Sequence, residues 1–221
     1  MGRGSLTTFR VALALVSLAG AGAISTSVGA APAAVSQSVT IFARPTVVGW
    51  AQGAQLFGTA RGAGPDDTVT IQAKECGSPS FGTYAEAHVG AGGGWSMDAG
   101  TGVTTTFRAV WRGFTSTQVT VRQAANVSLE QRRTGRGLVV GVVAKRSFWR
   151  KTVQIQRRQS GRWRTVRTVR LTDSVRSTGS VSASEARFRL SVPAGTSLRA
   201  VLPAAQARPC YVQSVSRTVR T

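Results

Sequence analysis

The chain is poor in the residues from which catalytic and metal sites are built. Its 221 residues include one histidine, two cysteines and eight acidic residues. A serine or cysteine nucleophile needs a base that a third group orients. The one histidine, His88, sits in Ala87-His88-Val89 just before a glycine run, and no nucleophile elbow accompanies it. It reads as a solvated or hydrogen-bonded strand residue. One histidine and two distant cysteines also offer no zinc-ligand spacing. Asp66-Asp67 reads as a turn entering a strand; a calcium ion there would need more carboxylates than the neighbourhood supplies. Gly92-Gly93-Gly94 has neither a lysine nor a helix after it, so it is no phosphate loop. The expectation is a protein that is not an enzyme and carries no metal or cofactor.

Long apolar runs are equally scarce. Only Val11 to Ile24 is uncharged and apolar, behind Arg3 and Arg10 and ahead of Val28-Gly29-Ala30, where a signal peptidase reads small residues. The run is shorter than the roughly 20 residues of a membrane span, so residues 1–30 are expected to be a cleaved signal peptide. Ala31-Pro32-Ala33 offers a second cleavage site. No membrane span is expected after cleavage, and the location implied is secreted, either extracellular or associated with the cell envelope.

Helical periodicity is missing after this leader. In its place are short β-branched and aromatic runs with alternating polarity, broken by Gly, Pro, Asn, Asp and Ser. In the first half these runs cover 39–48, 55–60, 68–74, 83–89, 95–98, 104–111 and 117–122. In the second they cover 127–131, 138–144, 152–158, 162–171, 187–192, 197–202 and 211–219, with Gln159-Ser160-Gly161 as a tight hairpin turn. The halves echo each other. Thr68-Val69-Thr70-Ile71-Gln72 returns as Thr152-Val153-Gln154-Ile155-Gln156, and Phe107-Arg108-Ala109-Val110 as Leu198-Arg199-Ala200-Val201. A unit of about 90 residues used twice accounts for this. About seven short strands per unit suit an all-β fold of two tandem seven-stranded antiparallel β-sandwiches, over residues 37–122 and 127–221, joined by a linker at Arg122 to Asn126. Val69, Ile71, Val119, Val121, Val153 and Ile155 are expected to point inward, with Trp95, Phe107, Phe188 and Leu198 filling the cores. In Trp163-Arg164-Thr165-Val166-Arg167-Thr168-Val169 the apolar residues fall three apart, which implies a bulge or one outward valine.

Thr-Val-x-Ile-Gln, a Gly-x-Trp, a Phe/Leu-Arg-Ala strand and a closing Ser-x-x-Val strand together resemble the tandem immunoglobulin-like (fibronectin-type-like) domains of secreted actinobacterial proteins. Arg157-Arg158-Gln159-Ser160-Gly161-Arg162-Trp163-Arg164-Thr165-Val166 is the most characteristic piece. The resemblance spans nearly the whole mature chain. It implies an adhesive, linking or accessory module without catalysis.

Each unit carries one cysteine, Cys76 and Cys210, and two cysteines in an exported chain usually oxidise to each other. In a seven-stranded sandwich the turn after the third strand and the loop before the last strand lie at opposite poles. Cys76 and Cys210 therefore face the same linker. A bond there would close a loop worth on the order of 4 kcal/mol in the chain-entropy model. An intermolecular bond or two free thiols are the alternatives.

Charge is unevenly placed. Residues 37–125 hold six basic and five acidic side chains, while 126–221 hold 20 basic and three acidic ones. The second unit is thus expected to attract anionic cell-wall polymer, acidic polysaccharide or a lipid surface. Lys145, Arg146, Arg150 and Lys151 flank Phe148 and Trp149 in one loop. On the next hairpin Gln154, Gln156 and Arg158 are expected to share a sheet face with Arg162, Arg164 and Arg170. Arginine forks bind phosphate, sulfate or carboxylate, and an exposed Trp149 or Phe148 could stack on a sugar. The competing readings are a solvated face whose arginines protect an edge strand, Trp149 buried against the first unit, and a spacer whose partners are other secreted proteins. No specific nucleic acid is expected, since neither a reading helix nor a stacking platform is present.

Overall fold

A computed structural model describes residues 36–132, 137–176 and 181–221; the expected signal peptide, 1–30, lies outside them. Among the described residues the fold is all-β apart from a 3-10 turn and one short helix, α1 (Ala204–Ala207). The first half contains β1 (Ser38–Val39), β2 (Phe42–Arg44), β3 (Val47–Val48), β4 (Gly53–Arg61), β5 (Thr68–Glu75), β6 (Gly82–His88), β7 (Gly94–Gly100), β8 (Thr105–Trp111), β9 (Phe114–Thr115) and β10 (Val119–Gln123). One sheet runs β1-β4-β2 with β7 also on β4; the other runs β3-β10-β8-β5-β6 with β9 on β8. The second half contains β11 (Asn126–Gln131), β12 (Gly137–Ala144), β13 (Thr152–Gln159), β14 (Arg162–Arg170), β15 (Asp173–Arg176), β16 (Ser182–Arg189), β17 (Ser197–Leu202), β18 (Ser214–Val215) and β19 (Val219–Arg220). Its sheets run β11-β12-β16-β15 and β14-β13-β17-β18, with β19 also on β17.

Each half encloses its own apolar cluster. Leu56, Val69, Ile71, Phe107 and Val121 are fully buried in the first; Val153, Ile155, Leu171 and Leu198 are fully buried in the second. Trp95 and Phe188 are buried as the alternation predicts, whereas Val119 is only partly buried.

Local interactions recur between the halves with the same partners. β5 shifts register against β6 between Ile71 and Gln72, and β13 shifts against β14 between Ile155 and Gln156. Gln72 Oε1 accepts from Arg108 Nε at 2.8 Å and Gln156 Oε1 from Arg199 Nε at 2.9 Å. Arg108 lies over the Phe81 ring and Arg199 over the Trp163 ring, each at 4.3 Å. Ser116 clasps Ala109 through its backbone N–H and its Oγ, and Ser216 clasps Ala200 in the same way.

Several strand boundaries differ from the periodicity. The run 39–48 is three short strands, and Pro45, with no N–H to give a ladder, breaks it between β2 and β3. β3 then pairs parallel with β10, Arg122 opposite Val47, so the first half is not wholly antiparallel. The run 187–192 is instead the end of a longer β16, and 211–219 is the two short strands β18 and β19, preceded by α1. The linker shrinks to Ala124-Ala125, with Ala124 bridging Val212 in parallel.

The halves meet in a bonded junction. Cys76 and Cys210 form a disulfide with α-carbons 5.3 Å apart across 134 residues of sequence. Around it, Cys76 N donates to Thr104 O, Thr104 N to Cys210 O, and Val212 N to Gln123 O, each at 2.9 Å. The fully buried Gln123 side chain accepts from Thr101 Oγ1 at 2.7 Å and donates from Nε2 to Gly49 O at 2.8 Å and to Ala124 O at 3.1 Å. Tyr211 donates its hydroxyl to Gly102 O and accepts from Arg146 N, both at 3.1 Å. Val103, from the first half, is buried in the second half's cluster. Burial, ahead of the opposing effects of Arg146 and Lys145, raises the Tyr211 phenol above its ordinary value.

Two outcomes follow from this junction. Replacing both cysteines (Cys76→Ala with Cys210→Ala) is expected to lower unfolding free energy by roughly 4–5 kcal/mol in urea titrations; a loss below about 1 kcal/mol would contradict that assignment. Because the folded phenol holds its proton more tightly, the Tyr211 contribution is present below its ordinary value of 10.0 and is lost as pH rises above it. Tyr211→Phe should therefore flatten the alkaline fall in melting temperature, and an unchanged fall would remove Tyr211 as its source.

Candidate anion-binding surface

The β13–β14 hairpin turns at Ser160 and Gly161, whose φ values of 49° and 76° are the left-handed pair of a two-residue turn. Gln159 therefore faces Arg162, Arg158 faces Trp163 and Arg157 faces Arg164. Farther along, Gln156 pairs with Thr165 but Ile155 pairs with Arg167, leaving Val166 as the bulged residue, exposed on the edge. Of the two outcomes that the apolar spacing allows, a bulge or an outward valine, the bulge is present, and Val166 is its residue.

Its consequence corrects the expected sheet face. Arg170 pairs with Thr152 and lies on the face of Gln154, Gln156 and Arg158. Arg162 and Arg164 pair with Gln159 and Arg157, on the opposite face. Directly opposed residues share a face, so the three arginines cannot form one stripe.

The basic loop between β12 and β13 is divided as well. Lys145 Nζ contacts both Glu75 carboxylate oxygens at 2.8 Å, and Arg146 donates to Cys76 O. These two cations belong to the junction. Phe148 is buried against Tyr211, with ring centres 5.3 Å apart, and is not available for stacking. Trp149 is 47% exposed, with Nε1 donating to Thr172 O at 3.1 Å and the Arg150 guanidinium 4.0 Å from its ring. It is not buried against the first half. Arg150 O in turn accepts from Arg170 Nε at 3.3 Å, and Lys151 lines a small pocket beside Arg146 and Arg208.

Strand register gathers several other arginines at the end of the second half farthest from the disulfide. β12 runs from Gly137 to Ala144, next to the junction residues Lys145 and Arg146, and pairs Gly137 with Arg189 and Ala144 with Ser182. Arg187 and Arg189 thus lie at the far end, as do Arg157, Arg158, Arg162 and Arg164 at the hairpin tip. Arg132 joins them, its N–H donating to Gly137 O at 3.0 Å. Arg167 projects from β14 toward the other sheet and donates to Arg189 O at 2.7 Å, with its guanidinium 5.6 Å from the Phe188 ring. Arg132, Arg167, Arg187 and Arg189 were not singled out by the sequence; 57 residues separate the first from the last. Among the described residues, no carboxylate lies within ion-pair distance of these side chains, and the ion pairs found are Arg112–Asp67 and Lys145–Glu75.

Asp67 shows the opposite use of charge. Its Oδ2 accepts from Gly64 N at 2.8 Å and its Oδ1 from Arg112 at 3.0 Å, and the Gly64 bond chiefly lowers its pKa. Asp66-Asp67 is a turn, as its position before β5 suggests. His88 is exposed at the end of β6.

No protein-family model matches the chain, and no curated protein is similar to it. Among solved structures it is similar to a purple acid phosphatase isolated from yellow lupin (Lupinus luteus) seeds, at 12% identity and a TM-score of 0.37. That alignment covers 82% of this chain and 40% of the phosphatase, so the chain spans well under half of that protein's length.

The geometry separates structural from free arginines. Arg167→Gln should lower stability by about 1 kcal/mol, since the Arg189 carbonyl loses its donor. Arg162→Gln with Arg164→Gln should leave stability within about 0.5 kcal/mol or raise it slightly. Urea unfolding distinguishes the two; equal losses would mean that the hairpin arginines also carry structure.

Proposed function

We propose that this chain is a secreted, non-catalytic protein of the cell envelope or extracellular space that binds anionic polymers or surfaces. In this reading it consists of two copies of an immunoglobulin-like β-sandwich, and the cationic end of the second copy is the binding surface. The duplication is supported by the paired register shifts, the two Gln–Arg–aromatic contacts and the two serine clasps. Export is supported by the leader-like first 30 residues and by the disulfide, a bond that persists in oxidising compartments.

The observation that carries the binding reading is the set of guanidiniums left without carboxylate partners at one end, while Lys145 and Arg146 at the other end are bonded into the junction. The backbones of these unpaired arginines are held on strands, so an arriving anion has only side-chain rotamers to order, at roughly 0.5–1.5 kcal/mol per immobilised arginine. A flexible polyanion displaces its counterions on binding, so affinity falls steeply with salt.

A spacer or protein-interaction role is the second reading, favoured by the bonded junction, which fixes one half against the other. Retention on immobilised dextran sulfate separates the two. The binding reading expects strong retention at about 50 mM salt and release well before about 500 mM. It also expects that Arg158→Gln, Arg162→Gln and Arg164→Gln together elute earlier, while Lys145→Gln with Arg146→Gln changes stability more than retention. Retention indifferent to salt, or none at all, would favour the spacer.

A further inference from the structure

We infer that the cleft between β14 and the free end of β16 is a subsite for the tetrahedral oxyanion, phosphate or sulfate, of a polyanionic chain. This deepens the polyanion reading and rests on it.

The site is assembled by register. Arg132, Gly137 and Arg189 lie in one row across β11, β12 and β16, with Arg187 two residues before Arg189 on the same strand face. Gly137 has no side chain to separate its neighbours. A Cβ added there would lie 3.4 Å from Arg132 Cδ, so the stem of Arg132 already lies over the glycine. β15 pairs with β16 only from Ser182 to Glu185, so the Arg187–Arg189 stretch is an open edge. Arg167 crosses from the other sheet to close it, bonding Arg189 O. Arg132, Arg187 and Arg189 stand on the outer face of this sheet, while Arg167 comes from the inner face that bears Leu138 and Phe188. At the sheet end the four arginines and these two residues line one cleft of about 450 Å³, within the roughly 300–1,000 Å³ of small-molecule sites.

The four cations have distinct roles. Arg167 is fixed by its carbonyl partner and by the Phe188 ring. Arg132, Arg187 and Arg189 have no side-chain hydrogen-bond or ion-pair partner among the described residues. Glu130 and Glu185 share the sheet face but stand outside ion-pair distance of them. Like charges gathered without counter-charge repel each other, and a ligand that bears negative charge relieves this. A carboxylate offers two oxygens whose lone pairs, about four in all, lie in one plane. A tetrahedral oxyanion presents oxygens in several directions and can accept from guanidiniums arriving from both sheets at once.

Calorimetric titration of the whole chain with inorganic tripolyphosphate, sucrose octasulfate and citrate tests the subsite. Tripolyphosphate or sucrose octasulfate should bind more tightly than citrate, and whichever of the two is stronger identifies the phosphate or sulfate source. Arg132→Gln with Arg187→Gln should weaken that binding at least tenfold. Arg162→Gln with Arg164→Gln removes the same charge and should weaken it less than threefold. Arg132→Lys with Arg187→Lys keeps the charge and should still lose several-fold, since the forks are gone. Citrate binding as tightly as the other two, or equal losses in the two Gln pairs, would overturn the subsite. Wild-type retention on dextran sulfate would in those cases leave the general polyanion reading standing; its absence would remove both.

Discussion

The side-chain amide of Gln123 is fully buried where the two halves meet, and both of its ends are bonded: Oε1 by Thr101, Nε2 by the carbonyls of Gly49 and Ala124. An amide in that position without partners would destabilise the fold by about 1–3 kcal/mol, so these bonds fix where the first half must end. Gln123 O then accepts from Val212 N, and the segment two residues before Val212 carries Cys210 to Cys76. Tyr211, between them, bonds Gly102 from one half and Arg146 from the other. Amide, disulfide and phenol form one continuous connection.

That connection also decides what the positive charge is free to do. Lys145 and Arg146 begin the most basic loop of the chain, yet both are bonded to the first half, through Glu75 and Cys76 O. The same strands that bring them to the junction carry their other ends away from it. There Arg158, Arg162, Arg164, Arg187 and Arg189 have no carboxylate within ion-pair distance among the described residues. An edge strand bearing arginines also resists pairing with another chain. Arg167 adds a second device by turning inward to bond the edge carbonyl of Arg189.

The sequence made part of this legible. Alternating valines and isoleucines marked the strands, the echo of Thr-Val-x-Ile-Gln marked the repeated contacts, and the opposite positions of Cys76 and Cys210 in the two runs marked the disulfide. The three-residue spacing of Trp163, Val166 and Val169 allowed a bulge or an outward valine, and did not say where a bulge would fall. Placing the extra residue at Val166 reverses the faces of Arg162 and Arg164, since one added residue flips a strand of period two. The cleft was not legible. Arg132, Arg167, Arg187 and Arg189 become neighbours only through the pairing of β11 with β12 and β12 with β16, and through an arginine reaching between sheets. Helix α1 has four residues, too few for any period to register.

Mapping backbone amide shifts by NMR while a polyanion is added tests this account most directly. Low-molecular-weight dextran sulfate should perturb amides at the hairpin tip and near Arg132, Gly137 and Arg187, and leave those of Gln123, Lys145 and Val212 in place. Perturbations centred on the junction or on the first half would contradict the claim that binding capacity resides in the cations which the junction leaves free.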